Sequence, residues 1–398
     1  MTAQTLTQHI AAGRLDLTLT ESAERLDELL TFASRLNPRR GYLFVSRVLG
    51  KHVPVDPMTM DRIHAELAEK IELVGERAYV VGMAETAVGL GAGVARHIGH
   101  LHCDCIYQHT TRFLVPEPWI RIREAHSHAD TMHMAHLSQE AAVVVAGASD
   151  LVLVDDEIST GLTLAQLASA LVDQAVLTNV TRLHIVSLVS WLTDEARARL
   201  LEALPAHLDV RFVQLMAGTF TFTPDADHDA VLPEDVDTDF CDVLMQEDRA
   251  AHPLPLEQDG LFGKRMGHAP DPMPEALRSR LEQVGDPATT GPLVIYGMGE
   301  FLDAPFRVAL ALSKAGHDVR FQSSTRSPIA LGDGIASHLE IPALGQPKKR
   351  HFLYNADVCR HPMAFDGVET PRYSIALQEA HVAHGRQAHA TPATEETV

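Results

Sequence analysis

Residues 151–163 read LVLVDDEISTGLT. Leu151, Val152, Leu153 and Val154 form a run of branched apolar residues that predicts a strand covered on both faces, because neither side of it suits water. Asp155 and Asp156 follow at the carboxyl end of that strand. Ser159, Thr160, Gly161 and Thr163 come next, small residues whose backbone N–H groups and hydroxyls can close around an anion. Leu164, Leu167, Ala168 and Leu171 recur at helical spacing, so a helix is expected to start at this loop. A helix start offers a phosphate unpaired N–H groups and the positive end of the helix dipole. The carboxylates would repel that phosphate and need other work, for which accepting hydrogen bonds from vicinal sugar hydroxyls is suitable. The implied ligand is a ribose 5-phosphate. The plain alternative is an ordinary parallel strand with an acidic edge and a Ser/Thr-rich helix cap.

The rest of the chain bounds this reading. Its 398 residues exceed most single cores and imply two domains. A formal net charge of −20 argues against non-specific nucleic-acid binding, which needs a basic field, yet leaves room for a phosphorylated substrate. Cys103, Cys105, Cys241 and Cys359 are too few and too unevenly spaced for a disulfide framework, which favours a reducing cytoplasm. Neither a leader-like start nor a run approaching about 20 apolar residues is present, so no membrane association is expected.

Strand-like runs at 39–46, 78–83, 100–111, 182–189 and 210–216 alternate with helical patterns at 56–71 and 194–204, the first ordered piece beginning near Leu15. Such alternation predicts a parallel sheet, with ligands beyond the carboxyl ends of its strands. The Gly-rich stretch 85–93 reads as a turn and a short helix there, able to bring backbone N–H groups to a ligand. Residues 112–137 have no clear period and read as a lid or binding loop carrying Arg112, Arg121, Arg123, Glu124, His126, His128, His133 and His136. The alternatives for that stretch are a solvated histidine-rich loop and a transition-metal pair at His126 and His128, for which spacing fixes no third ligand. On a strand, Cys103 and Cys105 would share one face while His100 and His102 share the other, which suits core residues better than a metal cluster. Lys51 is either a phosphate contact or a solvated turn lysine.

Residues 223–256 are acidic and rich in Pro and Asp, and read as a linker. A second βαβ unit then follows: a strand at 292–296, Asp303 as helix cap, a helix at 306–315 ended by Gly316, and a strand at 318–322. Arg326 lies just past that strand among Ser323, Ser324, Thr325 and Ser327, either an anion site or a cap-and-turn cluster. The Ala-, Thr- and Glu-rich tail, 386–398, has the composition of disorder.

The 151–163 run resembles the ribose-phosphate loop of type I phosphoribosyltransferases, which use phosphoribosyl pyrophosphate (PRPP). The segments YLFVSRVLGKH (42–52), AETAVGLG (84–91) and VDDEISTG (154–161) resemble, more narrowly, the phosphoribosyltransferases of bacterial tellurium-resistance and stress operons. In that family a domain named for a Thr-Arg-Ser-Pro motif follows the catalytic one, and Thr325, Arg326, Ser327 and Pro328 stand in the matching place. Glu157, unusual among type I enzymes at large, is a mark of this narrower family.

The resemblance implies an α/β architecture: a parallel-sheet type I phosphoribosyltransferase fold at 20–222, then a smaller α/β domain at 257–385. It implies that Asp155 and Asp156 hold the ribose hydroxyls, with Glu157 beside them either an outer-shell Mg2+ or general-base group or a side chain pointing into solvent, and that Ser159, Thr160, Gly161, Leu162 and Thr163 wrap the 5-phosphate. Ala84, Glu85 and Thr86 would meet pyrophosphate, and Lys51, Arg112, Arg123, His126 and His128 would supply lid or phosphate contacts. Mg2+ is implied with PRPP, through Asp155 and Asp156, as are small-molecule partners, an unidentified acceptor, and the homodimer common on this fold. Three functions stay open: phosphoribosyl transfer, a non-enzymatic PRPP or nucleotide sensor acting through a protein partner, and a pyrophosphatase or nucleoside-forming module whose second domain processes the first domain's product at Thr325, Arg326 and Ser327.

Overall fold

The structure, a computed structural model, describes residues 3–35, 40–101, 104–112, 115, 117–123, 131–173, 177–225, 260–266, 282, 284–343, 346–357 and 360–365. The chain opens with two hairpins, β1 (Gln4–Ile10) with β2 (Gly13–Glu21), then, after a short α1 (Leu26–Leu29), β3 (Leu30–Ser34) with β4 (Tyr42–Ser46). Next come α2 (Pro57–Glu69), β5 (Arg77–Gly82), α3 (Val88–Leu101), β6 (Asp104–His109), and a hairpin of β7 (Ile120–Arg123) and β8 (Thr131–Met134). The alternation resumes with α4 (Gln139–Val145), β9 (Asp150–Ile158), α5 (Leu162–Asp173), β10 (Arg182–Ser190), α6 (Asp194–Glu202) and β11 (Asp209–Pro224). After β12 (Lys264–Met266), a second unit comprises β13 (Leu293–Gly297), α7 (Asp303–Lys314), β14 (Val319–Ser323), β15 (His338–Ala343), β16 (Gln346–Tyr354) and β17 (His361–Phe365).

One eight-stranded sheet runs in the order β1-β2-β11-β10-β9-β5-β6-β12. Its five central strands, β11 to β6, are parallel, and antiparallel strands close both edges. The chain moves outward from β5 to β6, returns to β9, and proceeds the other way to β10 and β11. The order therefore reverses between β5 and β9, where an open sheet leaves a crevice at its carboxyl end. Leu151 to Val154 are wholly buried, as expected of a strand covered on both faces.

Several expectations are corrected here. Order begins at Gln4, not near Leu15, because β2 pairs with β11 and carries β1 with it. His100 belongs to the last turn of α3, and β6 begins at Asp104; Cys105 is buried in that strand. The stretch 112–137 is not without period: Ile120, Ile122, Met132 and Met134 of the β7–β8 hairpin are buried against the main core. Among the described residues, no group of three or more His, Cys, Asp or Glu gathers as a metal site, and no helix is long and apolar enough to cross a membrane. Most of the expected linker and all of the expected tail lie outside the described residues.

The glycines of 85–93, at 89, 91 and 93, all fall inside α3, a fourteen-residue helix. A Cβ at Gly91 would come within 2.8 Å of Gly82 Cα on β5, and one at Gly93 would overlap the buried ring of His64 on α2. Their missing side chains let α3 lie close on the sheet, a gain that offsets their low helix propensity.

The second unit has a three-stranded parallel sheet, β14-β13-β17, with α7 between β13 and β14. It is joined to the first by backbone hydrogen bonds. Val55 and Phe321 exchange both bonds, at 2.9 and 2.8 Å, Ser323 N–H donates to Gly50, and Ala330 N–H donates to Ser34. Gly50 has φ +64, and a Cβ there would press on the Phe321 carbonyl oxygen at 2.9 Å. Asp303 does not cap α7 through its side chain as expected; it is buried and accepts from Arg96 of α3 and Lys264 of β12.

Gly91→Ala is expected to destabilise the protein by about 1–3 kcal/mol, since the added methyl meets backbone that cannot rotate away. Chemical denaturation measures this, and a change below about 0.5 kcal/mol would refute the close-packing account.

Candidate functional site

The carboxyl ends of β5 and β9 lie side by side. Gly82 is in register with Val154, and Met83 N–H donates to the Val154 carbonyl at 2.9 Å. The turn at Ala84, Glu85 and Thr86 therefore leaves the sheet next to Asp155 and Asp156. Ala84 N–H is held by the Thr110 hydroxyl at 2.8 Å, and the Ala84–Glu85 peptide is cis.

Strand β9 does not stop at its acids. It continues to Ile158, with Asp155 in register with Ser187 and Glu157 with Val189 of β10. All three carboxylates are part-buried. Asp155 Oδ1 accepts from the Asp156 N–H at 3.0 Å. Burial, and then the neighbouring charge of Glu157, pushes the Asp156 carboxyl up to about 6. Glu157 accepts a hydrogen bond from Arg40, whose guanidinium lies 4.8 Å from the centre of the Tyr42 ring. Glu157 thus ties the β3–β4 hairpin over the strand end, and in this structure it does not point into solvent.

Beyond β9, Ser159 and Thr160 are exposed and Gly161 takes φ +67. A Cβ on Gly161 would overlap the side chain of Leu200 on α6, so backbone angle and space both require glycine. Leu162 and Thr163 open α5, and the first-turn N–H groups of this twelve-residue helix face the loop.

Other expected residues are distributed unevenly. Lys51 is not a solvated turn lysine: it is 2% exposed and donates to Glu85 and, at 2.8 Å, to the Ser324 carbonyl. Arg326 Nε donates to the other Glu85 oxygen at 2.9 Å, so the second-domain cluster faces the first domain's turn. Burial alone would raise the Glu85 carboxyl, but Lys51 and Arg326 beside it hold it well below the usual range. Burial keeps the nearby rings of His52 and His351 neutral, lowering them to about 3 and about 4. Arg112 is buried, its N–H donating to Glu300 at 2.7 Å, while Thr111 donates its hydroxyl to the same carboxylate. Arg123 lies on β7, and His126 and His128 fall outside the described residues. Thr325 exchanges backbone hydrogen bonds with Phe352, and Ser327 N–H donates to the Thr325 hydroxyl.

Sequence reasoning missed Arg35, Arg40, Ser187 and Glu300. Burial, and then Arg40 beside it, lowers the Arg35 guanidinium to about 10, and its Nε has no hydrogen-bond partner among the described residues. Nothing in the local sequence singles these residues out, because each acquires its place through strands or loops distant in the chain.

The arrangement has hydroxyl acceptors at one strand end, a helix-start loop for an oxyanion beyond them, and a cation-braced turn alongside. The class it defines is supported by family comparison. A family model described as "Phosphoribosyl transferase" matches residues 29–219, and one described as "TRSP domain C terminus to PRTase_2" matches residues 259–379. The chain is therefore an enzyme of the phosphoribosyltransferase class, carrying a phosphoribosyl transferase domain with a TRSP domain after it. No curated protein matches the chain. Among solved structures it is similar to the adenine phosphoribosyltransferase of Trypanosoma brucei, at 12% identity, covering 54% of this chain and 87% of that one with a TM-score of 0.34. It is also similar to the Rhodothermus marinus adenine phosphoribosyltransferase, at 21% identity over 48% of this chain and 96% of that one, TM-score 0.31. The Leishmania tarentolae enzyme shares 15% identity over 50% and 88%, TM-score 0.33.

Because the Asp156 carboxyl is raised from an ordinary value of 3.8 to about 6, its contribution to stability is full below about pH 4. That contribution is lost as pH rises through about 6. Asp156→Asn should therefore flatten the fall in folding stability across this window in denaturant melts at successive pH values. An unchanged slope would refute burial as the cause.

Proposed function

We propose that the chain transfers the 5-phosphoribosyl group of PRPP to a nitrogen base or related nucleophile, with release of pyrophosphate. The observation that carries this reading is the pairing of β5 with β9, which sets the Glu85 turn directly beside Asp155 and Asp156. PRPP carries a ribose diol, a 5-phosphate and a pyrophosphate at C1. Those three groups call, respectively, for the two carboxylates, the 159–163 loop and the 84–86 turn.

In this mechanism the C1–oxygen bond breaks early and positive charge develops on the sugar. The chain's work is to hold both ends of PRPP in line and to stabilise the departing pyrophosphate. Asp155 and Asp156 accept from the 2- and 3-hydroxyls and fix the ribose. Backbone N–H groups at Gly161, Leu162 and Thr163 meet the 5-phosphate. Arg40 engages Glu157, so that acid keeps the β3–β4 hairpin over the ribose rather than acting as a base. Asp155 and Asp156 also suit Mg2+, which favours hard oxygen ligands and takes one or two carboxylates together with substrate oxygens. When bound, Mg2+ neutralises pyrophosphate charge.

The motifs at 42–52, 84–91 and 154–161, with the Thr325–Pro328 motif behind them, support placing the chain in the tellurium-resistance and stress-operon family. On this reading the protein works in the cytoplasm on small molecules.

Replacing both carboxylates, Asp155→Asn with Asp156→Asn, removes two charge-assisted hydrogen bonds at about 1.5–3 kcal/mol each. PRPP affinity in the presence of Mg2+ should fall by roughly 10²-fold or more, and pyrophosphate release with it, while the protein stays folded. Undiminished pyrophosphate release would overturn the assignment. PRPP binding by the wild type without release, across a broad panel of bases, would favour a sensor instead.

A further inference from the structure

Both domains present the carboxyl ends of parallel strands to the same place. From the first come Met83 to Thr86 after β5, and from the second come Met298 to Glu300 after β13 and Ser324 to Arg326 after β14. Ligands of open α/β sheets sit at such ends. In the second domain, however, those turns are filled by the first domain. Glu300 takes up Thr111 and Arg112, the Ser324 carbonyl takes up Lys51, and Arg326 takes up Glu85.

We infer that Arg326 is a positioning residue for the first domain's phosphoribosyl transfer: it reaches across the domain boundary to hold Glu85, and so fixes the turn that meets pyrophosphate. This inference rests on the proposed transfer activity.

Three observations carry it. Glu85 is gripped on both oxygens, by Lys51 on one and Arg326 on the other, so the carboxylate can neither rotate nor turn outward. The partners are largely buried, with side-chain exposures of 2% for Lys51, 13% for Glu85 and 15% for Arg326, so the ion pairs escape most solvent screening. Arg326 is itself held in place, because Thr325 beside it is locked to Phe352 by two backbone hydrogen bonds and Ser324 accepts from Gly299 N–H. Pro328 closes the motif, and Ile329 after it bridges to Arg35 of the β3–β4 side, which fixes the far end of the segment. The Thr-Arg-Ser-Pro motif is thus a clasp on the pyrophosphate turn. The second domain completes the first domain's site and is more than an appended module.

The test uses the full chain. PRPP affinity with Mg2+ is measured by calorimetry, and exchange of the amides at 83–88 by hydrogen–deuterium mass spectrometry, for wild type, Arg326→Gln, Glu85→Gln, the double variant and Arg326→Lys. Arg96→Gln serves as control, because it breaks a different interdomain ion pair, to Asp303. Arg326→Gln is expected to weaken PRPP about tenfold and to speed exchange in the turn. The double variant should lose little more than either single one, since both remove the same clasp. Arg326→Lys, which keeps charge but not the planar fork, should fall between and carries the test if Arg326→Gln does not fold. Arg96→Gln should bind PRPP as wild type does. Wild-type affinity in the Arg326 variants, additive losses in the double variant, or an equal loss in Arg96→Gln would each overturn the inference. A wild-type protein that does not bind PRPP would instead overturn the proposed activity itself.

Discussion

The parallel pairing of β5 with β9 is the constraint on which the site depends. Register between them is fixed by buried residues on both strands, Ala78 to Val81 and Leu151 to Val154, all nearly or wholly inaccessible. A one-residue slip would send these side chains to the opposite faces and move Asp155 and Asp156 relative to the Glu85 turn. The same pairing marks the reversal of strand order, where the crevice opens. Burial energy and ligand geometry are therefore set by one interaction. This is why α3 is built with glycines: Gly91 lets the helix press on Gly82, the last residue of β5 before the turn.

Charge placement at the crevice follows from its surroundings. Asp156 is raised by burial and by Glu157, and Glu157 is tied to Arg40. Glu85 is held far in the opposite direction by Lys51 and Arg326 despite its burial. Two acids on neighbouring strand ends thus differ in protonation behaviour because one sits among acids and the other between cations. Of the two, Asp156 is the one raised toward neutrality.

Much of this was legible in the sequence, for physical reasons. A strand buried on both faces needs a continuous apolar run, so residues 151–154 declared themselves, and the loop behind them carried its own small residues and helix start. The continuation of β9 through Asp155, Asp156 and Glu157 was not legible, because charged residues stay in a strand only with neighbours such as Ser187 and Arg40 beside them. The glycines of α3 read as a turn because local propensity disfavours them in helices, and close packing against Gly82 and His64 overrode that propensity. The roles of Lys51, Glu85 and Arg326 depend on contacts between residues up to 273 apart in the chain, which no local pattern encodes. The motif at 325–328 could be located in the sequence, but its partner could not.

Fold by itself does not assign an activity, since one architecture hosts many chemistries. The central claim is narrower, that one crevice between β5 and β9 receives PRPP. Hydrogen–deuterium exchange with and without PRPP and Mg2+ tests it most directly. The account predicts protection in two segments together, the turn at 83–88 and the strand end and loop at 155–165. Protection of neither segment, or protection confined to the second domain around 297–302, would contradict it.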